Sequence, residues 1–303
     1  MIKAVIDIGS NSIKMRIADV MGKHVRVIRD ETEVVRLGRG MSETGRLAAE
    51  NMKVSCATVS RMVRRAKAAG ASIYVVGTMA LRTAENASEF VKMVKDACGL
   101  DVQIFSGEDE AKYSWLGAAD GFDLEGDAVM FDSGGGSTEF VLGCGQEIKK
   151  IVSVPIGAVN LSEKFFLPQT STVSKSACDS AVAHVTEMFR QNHIEEFAAS
   201  SVIGVGGGAV AMASVKNACE NFTPPLLHGS ILTRKDVTRQ IRLYASLTLK
   251  ERENIIGLPP SRADVVLGSA CIIFAALGIL NAPSCIISIN GLRHGLLIHD
   301  SIM

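Results

Sequence analysis

A cysteine framework is missing from this chain. Its seven cysteines (Cys56, Cys98, Cys144, Cys178, Cys219, Cys271 and Cys285) are odd in number, scattered, and never spaced as CxxC. That pattern excludes a disulfide scaffold and a cysteine zinc site, and it fits buried thiols in a reducing cytoplasm. Net charge is also missing. Lys and Arg total 32, as do Asp and Glu. Global charge therefore points neither to nucleic acid nor to a membrane surface. Long apolar runs are absent too. The stretch Val265–Leu280 falls short of the roughly 20 residues that span a bilayer, and Gly268, Ser269 and Gly278 interrupt it. It is expected to be a buried core helix. There is no low-complexity segment and no short-period repeat. The first residues read directly as a strand rather than as a signal peptide, so a cytoplasmic location is expected.

What is present is a duplicated turn. The first copy reads Val5-Ile6-Asp7-Ile8-Gly9-Ser10-Asn11-Ser12, and the second reads Met130-Phe131-Asp132-Ser133-Gly134-Gly135-Gly136-Ser137-Thr138-Glu139. Each follows an apolar, strand-like run, sets an acid at the strand end, and continues into small residues. Such a turn lets backbone amides approach phosphate oxygens while a carboxylate faces a metal ion or water. Two copies suggest a duplicated fold gripping one phosphorylated ligand. The charge distribution is compatible. Residues 1–100 carry 17 Lys and Arg against 10 Asp and Glu. Arg61, Arg64, Arg65 and Lys67 cluster on one predicted helix, so part of that excess reads as a solvated face.

The 303 residues, 47% of them hydrophobic, are enough for two domains with their own cores. Residues 2–37 read as three strands with turns at Met21-Gly22 and Arg29-Asp30. Helices are expected over 45–69, 85–98 and 108–118, with strands at 73–76 and 102–105. The pattern then restarts after Gly121. Strands are expected at 128–131, 139–142, 148–154, 201–205 and 285–289. Helices are expected at 158–166, 172–192, 210–216, 235–246 and 263–280. The stretches 169–176 and 221–229 read as ordinary loops. The plan is α/β in two related halves, 1–120 and 121–290, with a ligand cleft expected between them. A C-terminal helix over 291–303 is expected to join the first half.

Phosphoryl transfer needs donors for phosphate oxygens, a divalent cation, and a group that positions or deprotonates the nucleophile. The two turns offer the donors. Asp7, Asp132 and Glu139 are suited to a hard cation or its water, although Asp also caps turns. Ser106-Gly107-Glu108-Asp109-Glu110 crowds three acids into a helix start. Dipole and capping effects explain part of that crowding. One acid is a candidate general base, and the residue types leave open which one. Arg82, after a strand end, has a fork that can hold two phosphate oxygens. A third glycine run, Gly204-Val205-Gly206-Gly207-Gly208, has the layout of a phosphate loop at a helix start, and equally of a tightly packed strand–helix joint.

These residues together resemble the exopolyphosphatase/guanosine pentaphosphatase family of the actin-like, ribonuclease H-like superfamily. The resemblance runs through Asp7-Ile8-Gly9-Ser10-Asn11-Ser12, Arg36-Leu37-Gly38, Thr78 with Ala80-Leu81-Arg82, and Asn86. It continues through Ser106-Gly107, Glu110-Ala111, Asp132 with Gly134–Glu139, and Pro155-Ile156-Gly157-Ala158. It ends with Gly204 and Gly206-Gly207, Arg262-Ala263-Asp264, and Gly291-Leu292-Arg293 with Gly295. It implies two actin-like domains and Mg²⁺-dependent release of terminal phosphate, with Mn²⁺ as an alternative metal. The implied substrate is inorganic polyphosphate, or the 5′-γ-phosphate of guanosine pentaphosphate, which links the chain to the stringent response. A homodimer is also in keeping with such a family.

The resemblance implies Glu110 as the base and Arg82 as the phosphate-binding arginine. It implies Asp132 and Glu139, with Asp7 nearby, as the metal-linked acids. The phosphate loops it implies are Gly9, Ser10, Asn11 and Ser12, and Gly134, Gly135, Gly136, Ser137 and Thr138. Lys112, Ser133, Gly208 and His294 depart from the family's usual residues. The length corresponds to the family's short form, for which short chains or distributive action are expected. Two alternatives stand beside this reading. One is an ATP-using kinase of the same superfamily, favoured by the third glycine run. The other is a low-turnover regulator that binds alarmone or polyphosphate.

Overall fold

A computed structural model describes residues 1–22 and 24–299. The chain divides into two compact units. The first is Met1–Gly117 together with the chain from Leu292 on, and the second is Ala118–Gly291.

In the first unit the strands are β1 (Ile2–Ile8), β2 (Ser12–Met21), β3 (His24–Val34), β4 (Ser72–Gly77) and β5 (Gln103–Ile104). They form one sheet in the order β3-β2-β1-β4-β5. β1, β2 and β3 are antiparallel neighbours, while β4 and β5 run parallel to β1. The helices are α1 (Met41–Thr44), α2 (Ala49–Ala68), α3 (Met79–Thr83), α4 (Ala87–Cys98), α5 (Gly107–Ala119) and, at the far end of the sequence, α12 (Leu292–Ile298). Strand alternation assigns the two sheet faces. Ile6, Ile8, Ile13 and Met15 pack with Val59 and Met62 of α2 and Phe90 of α4. Val5, Ala18 and Val76 pack on the other face with Tyr113 of α5 and Leu296 of α12. Residues 300–303, which belong to the helix expected at 291–303, lie outside the described residues.

The expected turn at Arg29-Asp30 is not a turn. Both residues are internal to β3, where Asp30 pairs with Arg16 and Arg29 with Ile17. Asp usually favours turns, but here Arg16 donates to its carboxylate at 2.8 Å and Arg293 binds the other oxygen. Long-range ion pairing overrides the local preference.

The second unit repeats the plan. Its strands are β6 (Ala128–Ser133), β7 (Thr138–Cys144), β8 (Glu147–Val154), β9 (Ser201–Val205), β10 (Ile231–Thr233) and β11 (Ser284–Ile287). Their order is β10-β11-β9-β6-β7-β8. Read from β8, the first five repeat the first unit strand for strand: an antiparallel meander, then two parallel strands. β10 is an extra antiparallel edge, between the loop read at 221–229 and the helix read from 235, where no strand was expected. The helices are α6 (Ala158–Phe166), α7 (Lys175–Gln191), α8 (Gly207–Lys216), α9 (Arg234–Ala245), α10 (Leu249–Arg252) and α11 (Val266–Ile279). The apolar helix α11 is buried along nearly its whole length, within a core that includes Phe140, Val185, Phe189 and Tyr244.

Gln169 is not an ordinary loop residue. It is buried, donates to the Asp264 carbonyl at 2.7 Å, and accepts from the fully buried Arg252 at 2.8 Å. A Ser/Thr-rich stretch hides such a brace because both its partners are far away in sequence.

Candidate functional site

The two hairpins are built alike. Gly9 N–H donates to the Ser12 carbonyl at 3.1 Å, and Gly134 N–H donates to the Ser137 carbonyl at 3.0 Å. Each loop is then fixed from outside by its carbonyls. In the first, Gly38 N–H donates to Ser10 O at 2.8 Å, and the amides of Val35 and Arg36 donate to Asn11 O at 3.0 and 2.9 Å. In the second, Ala158 and Val159 donate to the carbonyls of Gly134 and Gly135 at 3.0 and 2.7 Å, and Asn160 Nδ2 donates to Gly136 O at 3.0 Å. In a trans peptide the N–H points opposite to the carbonyl it follows. Pinning three carbonyls therefore turns the N–H groups of Gly135, Gly136 and Ser137 the other way. Among the described residues those three amides donate to no protein atom. The result is a concave set of donors, the form in which backbone binds phosphate.

Close approach decides one glycine here. A Cβ on Gly157, at the start of α6, would lie 2.4 Å from the backbone of Gly135 and Gly136. Glycine lets the helix start sit directly on the loop.

Asp7 and Asp132 occupy equivalent rows of the two sheets. Across the first sheet the row is Thr32, Lys14, Asp7, Val76. Across the second it is Ser153, Glu139, Asp132, Val205. Asp7 is buried, and its Oδ1, like Asn11 Oδ1, has no hydrogen-bond partner among the described residues. Burial raises the Asp7 pKa, and the fields of Lys14 and Arg293 oppose the rise. In the second unit the neighbour across the strands is another acid. Glu139 is 1% exposed and accepts from Ser153 Oγ at 2.9 Å. Two carboxylates side by side, with a hydroxyl orienting one of them, suit a hard cation that takes its remaining ligands from water and substrate oxygens. No cluster of three or more metal-ligating side chains occurs among the described residues. The donor set fits Mg²⁺ held largely by oxygens from outside the protein.

Arg82 and Glu110 meet in the first unit. Arg82 Nη1 lies 3.3 Å from Glu110 Oε2 and donates to the Phe105 carbonyl at 2.9 Å. The pair is mostly buried, with exposures of 24% and 13%. The other two acids of this helix start are solvent-exposed. Asp109 caps: it accepts from Ser106 Oγ at 2.7 Å while its own amide donates back at 3.0 Å. Capping therefore explains Asp109, and only Glu110 is turned to the arginine.

The third glycine run is a packing joint. Gly206 has φ 102°, and a Cβ there would meet the Ser133 carbonyl at 2.4 Å. A Cβ on Gly207 would come within 2.1 Å of the Arg262 guanidinium, and one on Gly208 within 2.5 Å of the Ser269 side chain. The space that threonine would take at 208 is filled by Ser269. Close packing accounts for glycine at these three positions, and the run also opens α8, the strand–helix layout read from the sequence. Lys112 is exposed over the Tyr113 ring, and His294 is buried on α12.

Sequence reading missed Lys14, Ser153 and Asn160. Lys14 becomes visible once the two hairpins are overlaid residue for residue. Ser153 and Asn160 needed the strand register and the α6 docking.

Two sheets that share one five-strand order, each with a phosphate-type hairpin after its first strand, define an α/β protein of the actin-like, ribonuclease H-like class. The Ppx/GppA phosphatase family model matches residues 16–301, and the chain belongs to that family. It is 28% identical to a guanosine-5′-triphosphate,3′-diphosphate pyrophosphatase of Photobacterium profundum, over 97% of this chain and 58% of the relative. It is 27% identical to exopolyphosphatase 2 of Mycobacterium tuberculosis, over 89% of this chain and 88% of the relative. The chain spans about half the length of several curated relatives it matches. Among solved structures, the Aquifex aeolicus PPX-GPPA enzyme superposes with a TM-score of 0.82 at 28% identity, covering 98% of this chain and 99% of that one. No described helix is long and apolar enough to cross a membrane.

Proposed function

We propose that this protein is a phosphoanhydride hydrolase. It releases terminal orthophosphate from inorganic polyphosphate, or the 5′-γ-phosphate of guanosine pentaphosphate. The observation that carries the reading is the Arg82–Glu110 pair at 3.3 Å. It joins a cation suited to phosphate oxygens with a carboxylate suited to a water proton. The names of the relatives support the two substrates.

In this reading the turned-out amides of Gly135, Gly136 and Ser137 bind phosphate oxygens, with the Ser137 hydroxyl beside them; the Thr138 hydroxyl, expected to join them, is buried and donates to the Ile156 carbonyl at 2.6 Å instead. Gly9, Ser10, Asn11 and Ser12 play the same part in the first unit. Arg82 neutralises charge and fixes the Glu110 carboxylate. Glu110 takes a proton from water as the water oxygen bonds to the terminal phosphorus. The anhydride P–O bond then breaks, and the shortened chain leaves with its electron pair. Asp132 and Glu139 would hold Mg²⁺, with Mn²⁺ as a substitute, and Asp7 would orient coordinated water. The metal supplies charge neutralisation on the phosphate oxygens. Seven free thiols support a reducing compartment, the cytoplasm.

The deciding experiment measures orthophosphate release from defined-length polyphosphates and from guanosine pentaphosphate side by side, with Mg²⁺. Release from at least one is expected. Binding without release from either would favour the low-turnover regulator and overturn the hydrolase reading.

A further inference from the structure

Arg252 is a fully buried cation in the second unit that the proposed chemistry does not use. Among the described residues no carboxylate pairs with it, and its Nη2 is buried without an acceptor. The titratable group whose field acts on it is the buried Cys178 thiol. A guanidinium taken out of water without a counter-charge is costly, and an apolar side chain of that size would serve packing better. What Arg252 contributes instead is a rigid fork of donors.

Those donors join segments far apart in the chain. Nε donates to the Tyr244 carbonyl at 2.7 Å and to the Leu247 carbonyl at 3.2 Å, at the end of α9. Nη1 donates to Gln169 Oε1 at 2.8 Å. The Gln169 amide passes the contact on, because its Nε2 donates to the Asp264 carbonyl at 2.7 Å. Arg252 and Gln169 therefore form a relay from α10 to the short segment that precedes α11.

That segment carries Arg262, whose side chain makes no hydrogen bond and no ion pair among the described residues. Its guanidinium lies where a side chain on Gly207 would be, over the start of α8. The neighbouring Gly206 abuts the end of β6, where an added Cβ would meet Asp132 Oδ1 at 3.1 Å. With no polar contact of its own, the Arg262 side chain is placed by the backbone beneath it, and Gln169 holds that backbone. The line of contact runs from the buried arginine to the acid at the strand end.

We propose that Gln169 and Arg252 are positioning residues, which hold the 262–264 segment against the start of α8 and so fix Asp132 in the geometry of its metal-linked role. The inference rests on the hydrolase reading for what Asp132 does.

Gln169→Glu separates positioning from stability. Its carboxylate gives Arg252 the counter-charge it lacks, but it cannot donate to the Asp264 carbonyl and repels it. The unfolding midpoint is expected within about 4 °C of wild type. Arg252→Lys is the second variant, which keeps the charge and loses the fork. With tripolyphosphate and Mg²⁺, kcat is expected to fall about tenfold or more in each, with KM within about threefold of wild type. Mn²⁺ affinity, read without substrate from the free ion's electron paramagnetic resonance signal, should weaken about tenfold. A merely structural brace would shift the melt and leave the kinetics of the folded protein alone. A folded Gln169→Glu protein with wild-type kcat and Mn²⁺ affinity overturns the proposal and leaves the hydrolase reading standing. A fall in kcat with unchanged Mn²⁺ affinity overturns the route through Asp132. Weakened Mn²⁺ binding in the variants, with a wild type that hydrolyses neither polyphosphate nor guanosine pentaphosphate, keeps the positioning role and sinks the hydrolase reading. A wild type that neither binds Mn²⁺ nor releases phosphate overturns both.

Discussion

Arg82 Nη1 sits 3.3 Å from Glu110 Oε2 and is anchored at 2.9 Å on the Phe105 carbonyl. The anchor matters as much as the ion pair. It fixes the guanidinium on backbone, so the carboxylate beside it is held rather than merely attracted. Mostly buried pairs of this kind lose less to solvent screening than exposed ones.

Glu110→Gln keeps the shape and most of the contact with Arg82 but cannot take a proton. Phosphate release should fall by roughly 10²–10⁴-fold, the usual cost of losing a general base. The unfolding midpoint should barely move. Steady-state release and thermal melting of the same preparation check both halves of the expectation.

Arg82→Lys preserves charge but removes the planar fork. A lysine cannot hold the Phe105 carbonyl and a phosphate oxygen in fixed geometry together. Release should drop by about tenfold or more. The double variant with Glu110→Gln should be less than additive, because the two groups act as a unit. Full additivity would mean that they work independently.

Gly157→Ala tests the docking of α6 on the second loop. The added Cβ would lie 2.4 Å from the backbone of Gly135 and Gly136, so the loop must move. Overpacking of this kind typically costs about 1–3 kcal/mol, and the turned-out amides would lose their alignment. Asn160→Ala is the milder companion. It removes the donor to Gly136 O and the acceptor at 2.8 Å from Gly157 N–H without a clash. Both should weaken tripolyphosphate binding, the first more than the second. Unchanged binding in Gly157→Ala would show that the loop does not depend on α6.

Acid stability should report on Asp236. Its carboxylate caps α9 through Thr233 Oγ1 at 2.6 Å and pairs with Lys216 at 2.8 Å. Burial pushes its pKa up, but the Lys216 and Thr233 contacts outweigh burial and bring it down to about 2, from an ordinary 3.8. The folded state thus binds this proton less readily than the unfolded chain does. The group's contribution is complete above the ordinary value and is lost as pH falls through about 2. Asp236→Asn should flatten the fall in stability between these two pH values, and should cost about 1 kcal/mol of capping at neutral pH. Denaturant melts at stepped pH would reveal the difference.

Overlaying the two glycine turns in sequence was enough to place an acid at each strand end. Asp7 and Asp132 do stand at matching rows, because the periodicity of a strand and the chemistry of a tight turn are local properties. The helix starting at Gly107 was legible for the same reason, with its Ser106/Asp109 cap encoded three residues apart. The choice among Glu108, Asp109 and Glu110 was not legible in local pattern. It depends on Arg82, brought in from another helix by the parallel pairing of β5 beside β4. Asp30 was misplaced in a turn because its two arginine partners lie 14 and 263 residues away.

The sequence by itself determined the alternation of strands and helices, the duplication, and the chemistry available at each turn. Tertiary structure alone decided how that chemistry is aimed. The segment after β3 and the start of α6 bind the loop carbonyls and so turn the amides outward. The register of β2 on β1, and of β7 on β6, sets lysine against one aspartate and glutamate against the other. Hydrogen-bond direction and cross-strand register are fixed by partners distant in the chain, and no local pattern carries them.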